Sequence, residues 1–277
     1  ALDALAAIAP DMAGMDNLRA AALGRLVEYG EALALYDQVL ARHPHEPKLW
    51  MSQGHLLKTV GRQADAVSAY RRALGLTPTL GEVWWSLANL KTVRFDEDDL
   101  RAMASALAAP EISDADRYHL HFALGKAHDE RGNAETAFAH FETGNALRAA
   151  ELAYDPQETT QHVRAAEAVF TSEFFAAREG WGCTAPDPIF ILGMPRAGST
   201  LIEQILSSHS HIEGTMELPD IPRLFRTLGG PEHWPSRVHA LTRDDVRMLG
   251  EDFLRSTRIQ RKTGKPFFID KLPNNWA

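Results

Sequence analysis

A period of 34 residues is the feature of this sequence that most narrows the folds open to it. Four pairs of identical residues share this separation: Trp50 and Trp84, Ala32 and Ala66, Tyr36 and Tyr70, and Pro44 and Pro78. A fixed period of this size indicates one supersecondary unit repeated along the chain, because a single unit cannot bury its apolar face alone. The period therefore predicts a stacked helical array in the first half of the chain.

The unit at 47–80 resembles a tetratricopeptide repeat (TPR), a pair of helices with the same period. Its signature positions hold Trp50, Gly54, Leu57, Gly61, Ala66, Tyr70, Ala73 and Pro78, with a departure at Gln53. We expect the small residues Gly54 and Ala66 to let the two helices approach closely. A degenerate unit starting at Trp84 and another starting near His121 extend the array to about residue 150.

Composition limits the classes of function. The formal net charge of -8 offers no basic surface for general nucleic-acid binding. No apolar run approaches the roughly 20 residues that cross a bilayer, and a single cysteine, Cys183, excludes an internal disulfide framework. No Cys or His cluster predicts a metal. We therefore expect a cytoplasmic protein and, since the sequence opens without Met, a chain that starts inside a larger one.

Helix breakers interrupt the chain after residue 177. They are Gly180, Gly182, Pro186 and Pro188. We place the domain boundary there, with a TPR domain and helical linker at 1–180 and a second domain at 185–277.

The second domain has the pattern of an α/β fold. Short apolar runs at 189–192 and 266–269 suit buried strands. Helical spacing is found at 199–208, and a capping-box sequence begins a further helix at Thr242. Strand, helices and strand in this order predict an α/β layout.

The segment between the first strand and its helix has the composition of an anion-binding turn. It runs from Gly193 to Gly198 and is followed directly by Ser199 and Thr200. Glycines let backbone N–H groups turn inward, and the helix N-terminus adds about half a positive charge. Compared with the Walker A pattern, Ser199 stands where the lysine should be. A ligand with one 5′-phosphate is therefore favoured over kinase or ATPase chemistry.

The same turn resembles the 5′-phosphosulfate-binding loop of sulfotransferases that use 3′-phosphoadenosine 5′-phosphosulfate (PAPS). The matching residues are Pro195, Arg196, Ala197, Gly198, Ser199 and Thr200, with Ala197 in place of the usual Ser. The resemblance implies that they hold PAPS in a P-loop-like three-layer α/β domain that is truncated at the C-terminus. Family members bind the 3′-phosphate through later elements, so the chain is expected to lack half of that site.

Two downstream motifs extend the resemblance. Glu217 precedes an Ile-Pro-Arg run, as in tyrosylprotein sulfotransferases and bacterial TPR sulfotransferases, which implies that it is the catalytic base. Asp220 and Glu213 are rival carboxylates. Lys271, within Asp-Lys-Leu-Pro, is similar to the family lysine that stabilises negative charge on the departing 5′-phosphate.

The sequence thus predicts a TPR α-superhelix followed by a sulfotransferase domain that moves a sulfuryl group from PAPS to a hydroxyl without a metal. The TPR surface would bind a protein or peptide, as acceptor or as partner, and neither nucleic acid nor a membrane is expected. One alternative is a TPR scaffold whose α/β domain is inactive or binds another phosphate. A nucleotide kinase comes third, because Ser199 replaces the Walker lysine.

Overall fold

The computed structural model describes residues 14–152, 154–230 and 233–275. The chain divides into two compact units between Tyr154 and Asp155. The helices of the first unit are α1 (Met15–Arg25), α2 (Tyr29–Arg42), α3 (Pro47–Thr59), α4 (Gln63–Leu76), α5 (Gly81–Ala88), α6 (Glu97–Leu107), α7 (Asp114–Glu130) and α8 (Ala134–Leu152). Successive helices pack as pairs, α1 with α2, α3 with α4, and α7 with α8.

Equivalent hydrogen bonds recur one period apart in the first unit. The indole Nε1 of Trp50 donates to the carbonyl oxygen of Pro44 at 2.9 Å, and Nε1 of Trp84 donates to that of Pro78 at 2.9 Å. Each bond ties the start of a repeat's first helix to the proline turn before it. The predicted helical repeats are therefore confirmed by the packing of the chain itself.

Glycine allows the helices of a pair to approach closely. A Cβ atom built on Gly54 would lie 2.5 Å from Tyr70 Cε1, and one built on Gly125 would lie 2.7 Å from Phe141 Cε1. Both distances are too short for a side chain, so the aromatic ring occupies the space that glycine leaves. The role predicted for Gly54 is confirmed, and Gly125 repeats it.

We expect Gly54→Ala to destabilise the first unit by about 1–3 kcal/mol, because the new methyl group overpacks the interface with Tyr70. Gly75→Ala is the matched control. It lies on the same helix pair, and its Cβ would meet nothing within 4 Å, so the higher helix propensity of Ala should leave stability unchanged or raised. Urea denaturation of both variants measures the difference. Equal loss in the two would contradict the packing argument.

The core of the first unit is continuous across several repeats. Its fully buried members include Tyr70, Val83, Leu87, Met103 and Leu120. Because they come from α4 to α7, each repeat buries the apolar face of the next, as expected for a stacked array.

The second unit contains a small parallel sheet with helices around it. Its elements are α9 (Pro156–Val169), α10 (Ser172–Ala176), β1 (Pro188–Ile191), α11 (Ser199–Ser207), β2 (Ile212–Gly214), α12 (Asp220–Thr227), α13 (Trp234–Ala240), α14 (Arg243–Thr257), a 3₁₀ turn (Arg258–Gln260) and β3 (Phe267–Lys271). The strand order is β1-β3-β2, and β3 is parallel to both neighbours. The last strand in the chain is thus the central one.

Helices cover both faces of this sheet. Phe268 of β3 stacks on Phe253 of α14, with ring centroids 6.2 Å apart, whereas Lys271 reaches Glu203 of α11. Positions 268 and 271 have opposite parity along a strand and therefore point to opposite faces. The predicted fold class, helical repeats followed by an α/β domain, is confirmed.

Helices α9 and α10 lie in the second compact unit, although the sequence assigned them to the first domain as a linker. Arg178 Nη2, just after α10, donates to the carbonyl oxygen of His239 at 3.0 Å. Arg243 Nη2 donates to the carbonyl oxygen of Gly180 at 2.9 Å. These bonds hold the linker against α13 and α14. The bounds 1–180 and 185–277 stay a prediction.

Among the helices that the structure describes, none combines the length and the apolar content that a membrane crossing requires.

Candidate active site

The turn after β1 has the backbone of an anion-binding loop. Gly193 and Gly198 have φ values of 145° and 94°, and Arg196 has a φ of 67°. A left-handed conformation costs a residue with a side chain about 1–2 kcal/mol, and such positions cluster at ligand sites. Gly198 caps α11 without a side-chain hydrogen bond, so the first N–H groups of that helix are available to a ligand.

The predicted phosphate-binding residues lie together at the surface. Pro195, Arg196, Ala197, Gly198 and Thr200 are exposed, and Ser199 is half-buried at the first turn of α11. The side chain of Arg196 and the hydroxyls of Ser199 and Thr200 supply donors beside the helix N-terminus. A ligand with several anionic oxygens suits this set of donors.

The loop and Lys271 lie at the same edge of the sheet. Ile191, the last residue of β1, is in register with Lys271, the last residue of β3. The N–H of Gly193 donates to the carbonyl oxygen of Pro273 at 3.1 Å, which joins the loop to the turn after β3. Ligands of open α/β sheets bind outside the carboxyl ends of the strands, where these groups are.

The structure brings the two predicted catalytic side chains into contact. Lys271 Nζ donates to Glu217 Oε1 at 2.7 Å. The Lys271 side chain is 10 % exposed, whereas that of Glu217 is 54 % exposed. The segment carrying Glu217 is held against β3 by the hydroxyl of Thr215, which donates to the carbonyl oxygen of Ile269 at 2.5 Å. A buried cation and an accessible carboxylate therefore form an ion pair at this edge of the sheet.

A third charged residue, Glu203, was not predicted from the sequence. Its Oε2 lies 3.9 Å from Lys271 Nζ, and its side chain is 10 % exposed. Burial raises the pKa of Glu203, the positive charge of Lys271 lowers it, and the negative charge of Glu217 raises it. Helix α11 turns this carboxylate inward, while Leu201 and Ile205 on the same helix are 65 % and 60 % exposed.

The rival carboxylates make contacts of their own. Glu213 is buried on β2, and its Oε1 accepts the backbone N–H groups of Lys262 at 2.5 Å and Thr263 at 2.8 Å. Asp220 is buried in the first turn of α12, 3.6 Å from the guanidinium of Arg223. The carboxylates of Glu213 and Asp220 thus bind groups nearby in the fold. Glu217 is the most accessible of the three candidate carboxylates.

Asp270 lies beside Lys271 in sequence but faces the other side of the sheet. It is fully buried, and its carboxylate accepts from the N–H of Leu218 at 3.4 Å and from Asn275 Nδ2 at 3.2 Å. Burial raises the pKa of Asp270 to about 6, against the lowering effect of these two hydrogen bonds. Lys271 therefore pairs with Glu217 and Glu203, and Asp270 anchors the turn that follows Glu217.

This burial predicts an unusual pH dependence. The pKa of Asp270 is higher in the folded than in the unfolded chain, so the stabilisation from binding its proton is complete below about pH 4 and is lost as the pH rises through about 6. A change of about two pKa units corresponds to at most about 3 kcal/mol. The asparagine of the Asp270→Asn variant does not titrate, so the variant does not lose this stabilisation as the pH rises. The stability of the variant relative to the parent should therefore improve by up to that amount between pH 4.5 and 8.

Urea denaturation across this pH range measures the effect. Asp245→Asn is the contrasting control, because a hydrogen bond from Thr242 lowers the pKa of Asp245. For that variant the loss of stability relative to the parent should be complete above the normal Asp pKa, and therefore constant from pH 4.5 to 8. A relative stability of Asp270→Asn that does not change with pH would contradict the prediction.

Metal-ligand chemistry has no candidate in the part of the chain that the structure describes, where no three His, Cys, Asp or Glu side chains are grouped to hold an ion. His209 and His211, which follow α11, are exposed, and the N–H of His211 donates to His209 Nδ1 at 3.1 Å. These two histidines therefore contact each other at the surface.

Comparisons with known proteins point to one family for the second unit. A sequence model described as the sulfotransferase family matches residues 188–277. This range contains the loop, Glu203, Glu217 and Lys271. The match supports a sulfotransferase family for this part of the chain.

The proteins similar to this chain include the following two. One is a protein of Aquifex aeolicus (strain VF5), described as an uncharacterized protein, with 26 % identity over 255 residues. The alignment covers 89 % of this chain and 33 % of the relative, so the chain spans about a third of that protein's length. The other is the crystal structure of MamA, with 12 % identity and a TM-score of 0.42, covering 56 % of this chain and 88 % of that one.

Proposed function

We propose that the second unit contributes the active site of a PAPS-dependent sulfotransferase, which transfers a sulfuryl group to a hydroxyl of a protein or peptide acceptor. The observation that carries the proposal is the Lys271–Glu217 pair at 2.7 Å, at the strand edge from which the anion-binding loop also starts. An acid–base group and a cation beside a phosphate-type loop are the groups that transfer to an oxygen nucleophile requires.

The loop residues fit the 5′-phosphosulfate of PAPS as a substrate. Arg196 would contact its anionic oxygens, the hydroxyls of Ser199 and Thr200 would donate to them, and the N-terminus of α11 would add its partial positive charge. Since Ser199 replaces the Walker lysine, the loop carries less positive charge than a site for β- and γ-phosphates needs. This difference favours sulfuryl transfer over an ATP-dependent reaction.

In the proposed reaction, the acceptor oxygen forms a bond to sulfur while the bond from sulfur to the bridging oxygen of the 5′-phosphate breaks. The acceptor's proton passes to the carboxylate of Glu217. The electron pair of the broken bond stays on the phosphate oxygen of adenosine 3′,5′-bisphosphate, where Lys271 stabilises the charge. Lys271 donates to Oε1 of Glu217, so Oε2 of this half-exposed side chain can accept that proton, after which the carboxyl group is neutral.

The first unit offers a surface for the acceptor or for a partner protein. A cavity of about 370 Å³ on the repeats is lined by Trp85, Tyr118, His119, Phe122, Phe141 and Arg148. The guanidinium carbon of Arg148 lies 5.3 Å from the ring centroid of Tyr118. Pockets of this size and aromatic content suit a side chain of a bound peptide.

We place the protein in the cytoplasm, since Cys183 is a free thiol.

Thermal shift of the full-length protein tests the proposal. We expect adenosine 3′,5′-bisphosphate to stabilise the protein by about 2.7 kcal/mol at 100 times its Kd, and ATP with Mg²⁺ to have a much smaller effect. Arg196→Ala should lose most of the shift. Arg247→Ala, which removes an exposed arginine on α14, is the matched control and should keep it. Stabilisation by ATP alone would overturn the sulfotransferase proposal.

A further inference from the structure

The ammonium group of Lys271 lies in a nearly enclosed place between two carboxylates. Glu217 Oε1 is 2.7 Å from Lys271 Nζ and Glu203 Oε2 is 3.9 Å from it. An ion removed from water loses several kcal/mol of solvation, and the loss persists unless an opposite charge remains close. The position of Lys271 therefore depends on the carboxylates around it.

The two carboxylates differ in their freedom to move. The Glu217 side chain is 54 % exposed and lies on the irregular segment between β2 and α12. The Glu203 side chain is 10 % exposed and lies in the middle of α11. A half-exposed side chain on a loop can turn to another partner, whereas an enclosed one on a helix keeps its place.

This difference has a consequence for the reaction proposed above. When Glu217 takes up the acceptor's proton it becomes neutral, so Lys271 loses its closest counter-ion at the moment when its charge is needed at the leaving oxygen. Glu203 stays within 3.9 Å. It can keep the lysine charged and in place throughout the step.

We propose that Glu203 is a positioning residue, the permanent counter-ion of Lys271, and that it leaves Glu217 free to act as the base. The groups that face Glu203 in this cluster are Lys271 from β3 and Glu217 from the segment after β2. The assignment of roles rests on the proposed function, but the ion pair itself can be measured without any turnover.

The activity-independent test is the reaction of the Lys271 amine with acetic anhydride, followed by mass spectrometry as a function of pH in the full-length protein. In Glu203→Gln, the midpoint of Lys271 labelling should fall by about one pH unit, because an opposite charge near the amine is lost. Glu213→Gln is the matched control: it neutralises another buried glutamate of the same unit, whose carboxylate contacts backbone N–H groups. Its midpoint should equal that of the parent. An unchanged midpoint in Glu203→Gln overturns the inference.

Kinetics provide the second readout. Glu203→Gln should lower kcat by 10-fold or more while KM for both substrates changes less than about 2-fold, since the lost group touches neither substrate. Because Lys271 would then pair with Glu217 alone, both limbs of the kcat–pH profile should move to lower pH. A rise in KM with kcat unchanged, or a profile that does not move, contradicts the positioning role.

Two further outcomes separate the inference from the proposed function. Glu203→Asp keeps the negative charge but places it farther from Lys271, because the side chain is shorter. The midpoint of Lys271 labelling in this variant should therefore lie between those of Glu203→Gln and the parent. It also replaces Glu203→Gln if that variant does not fold, and a midpoint equal to the parent's would then contradict the inference. A lowered midpoint in a protein that transfers no sulfuryl group supports the ion pair and refutes the enzyme.

Discussion

Replacing Glu217 with Gln in the full-length protein is expected to lower kcat for sulfuryl transfer by about 100- to 10,000-fold, the usual contribution of a general base. The amide cannot accept the acceptor's proton, but it can still accept a hydrogen bond from Lys271 in place of the carboxylate oxygen at 2.7 Å. Binding of adenosine 3′,5′-bisphosphate should therefore change less than about 3-fold, because the loop that holds the phosphate is unaltered. Steady-state kinetics and calorimetry measure the two effects separately.

Asp220→Asn is the matched control for this loss, as it removes a buried carboxylate three residues away that is paired with Arg223. Its turnover at a temperature where the protein is folded should remain within about 3-fold of the parent. Full turnover in Glu217→Gln would show that the base lies elsewhere. A loss of nucleotide binding together with turnover would instead make Glu217 a structural residue.

Replacing Tyr70 with Ala is expected to destabilise the first unit by about 3–5 kcal/mol, the range for truncating a buried aromatic side chain. Tyr70 is 0 % exposed, and its ring fills the space over Gly54. The truncation leaves a cavity between α3 and α4, which the backbone cannot close without moving a helix. Urea denaturation gives the free energy, and hydrogen exchange should show the loss in α3 and α4.

Tyr70→Phe separates the ring from its hydroxyl, which is 2.9 Å from His55 Nδ1. Losing that hydrogen bond should cost only about 0.5–1.5 kcal/mol. Comparable losses in the two variants would mean that the hydroxyl, rather than the ring packed over Gly54, holds the helix pair together.

The sequence predicted the repeats well because their physical causes are local. Trp50 and Trp84 recur with their proline partners at a countable period, and Gly54 contacts an aromatic residue within the same unit. The capping box at Thr242 was predicted for the same reason, and the structure contains both of its hydrogen bonds. Structural features that depend on contacts between residues close in sequence can be predicted from the sequence.

Other features depend on contacts between distant residues and were missed. Strand β2 has three residues, too few for a period, and its existence depends on pairing with β3. The helical spacing at 199–208 did not show which side of α11 is buried: Leu201 and Ile205 are exposed, whereas Glu203 is buried and lies 3.9 Å from Lys271, a residue remote in sequence. The one signal for Glu203 was its charge, since the other residues of α11 carry none.

One part of the candidate active site was predicted from a sequence motif, and another part became visible only in the folded structure. The loop from Pro195 to Thr200 was identified from its glycines and hydroxyls, which lie at the turn after β1 as expected. The contact between Glu217 and Lys271 could be expected only by resemblance, since they come from separate segments. The domain fold brings both of them to one strand edge.

The strand order β1-β3-β2 has a consequence for how the protein is made. On the ribosome, β1 and β2 emerge before β3, the strand that lies between them, so neither can form its hydrogen bonds at first. The repeats need only near neighbours and can fold as they emerge, whereas the sheet must await a late, long-range closure. We expect a stalled nascent chain that exposes residues up to β2 to have folded repeats and an unformed sheet.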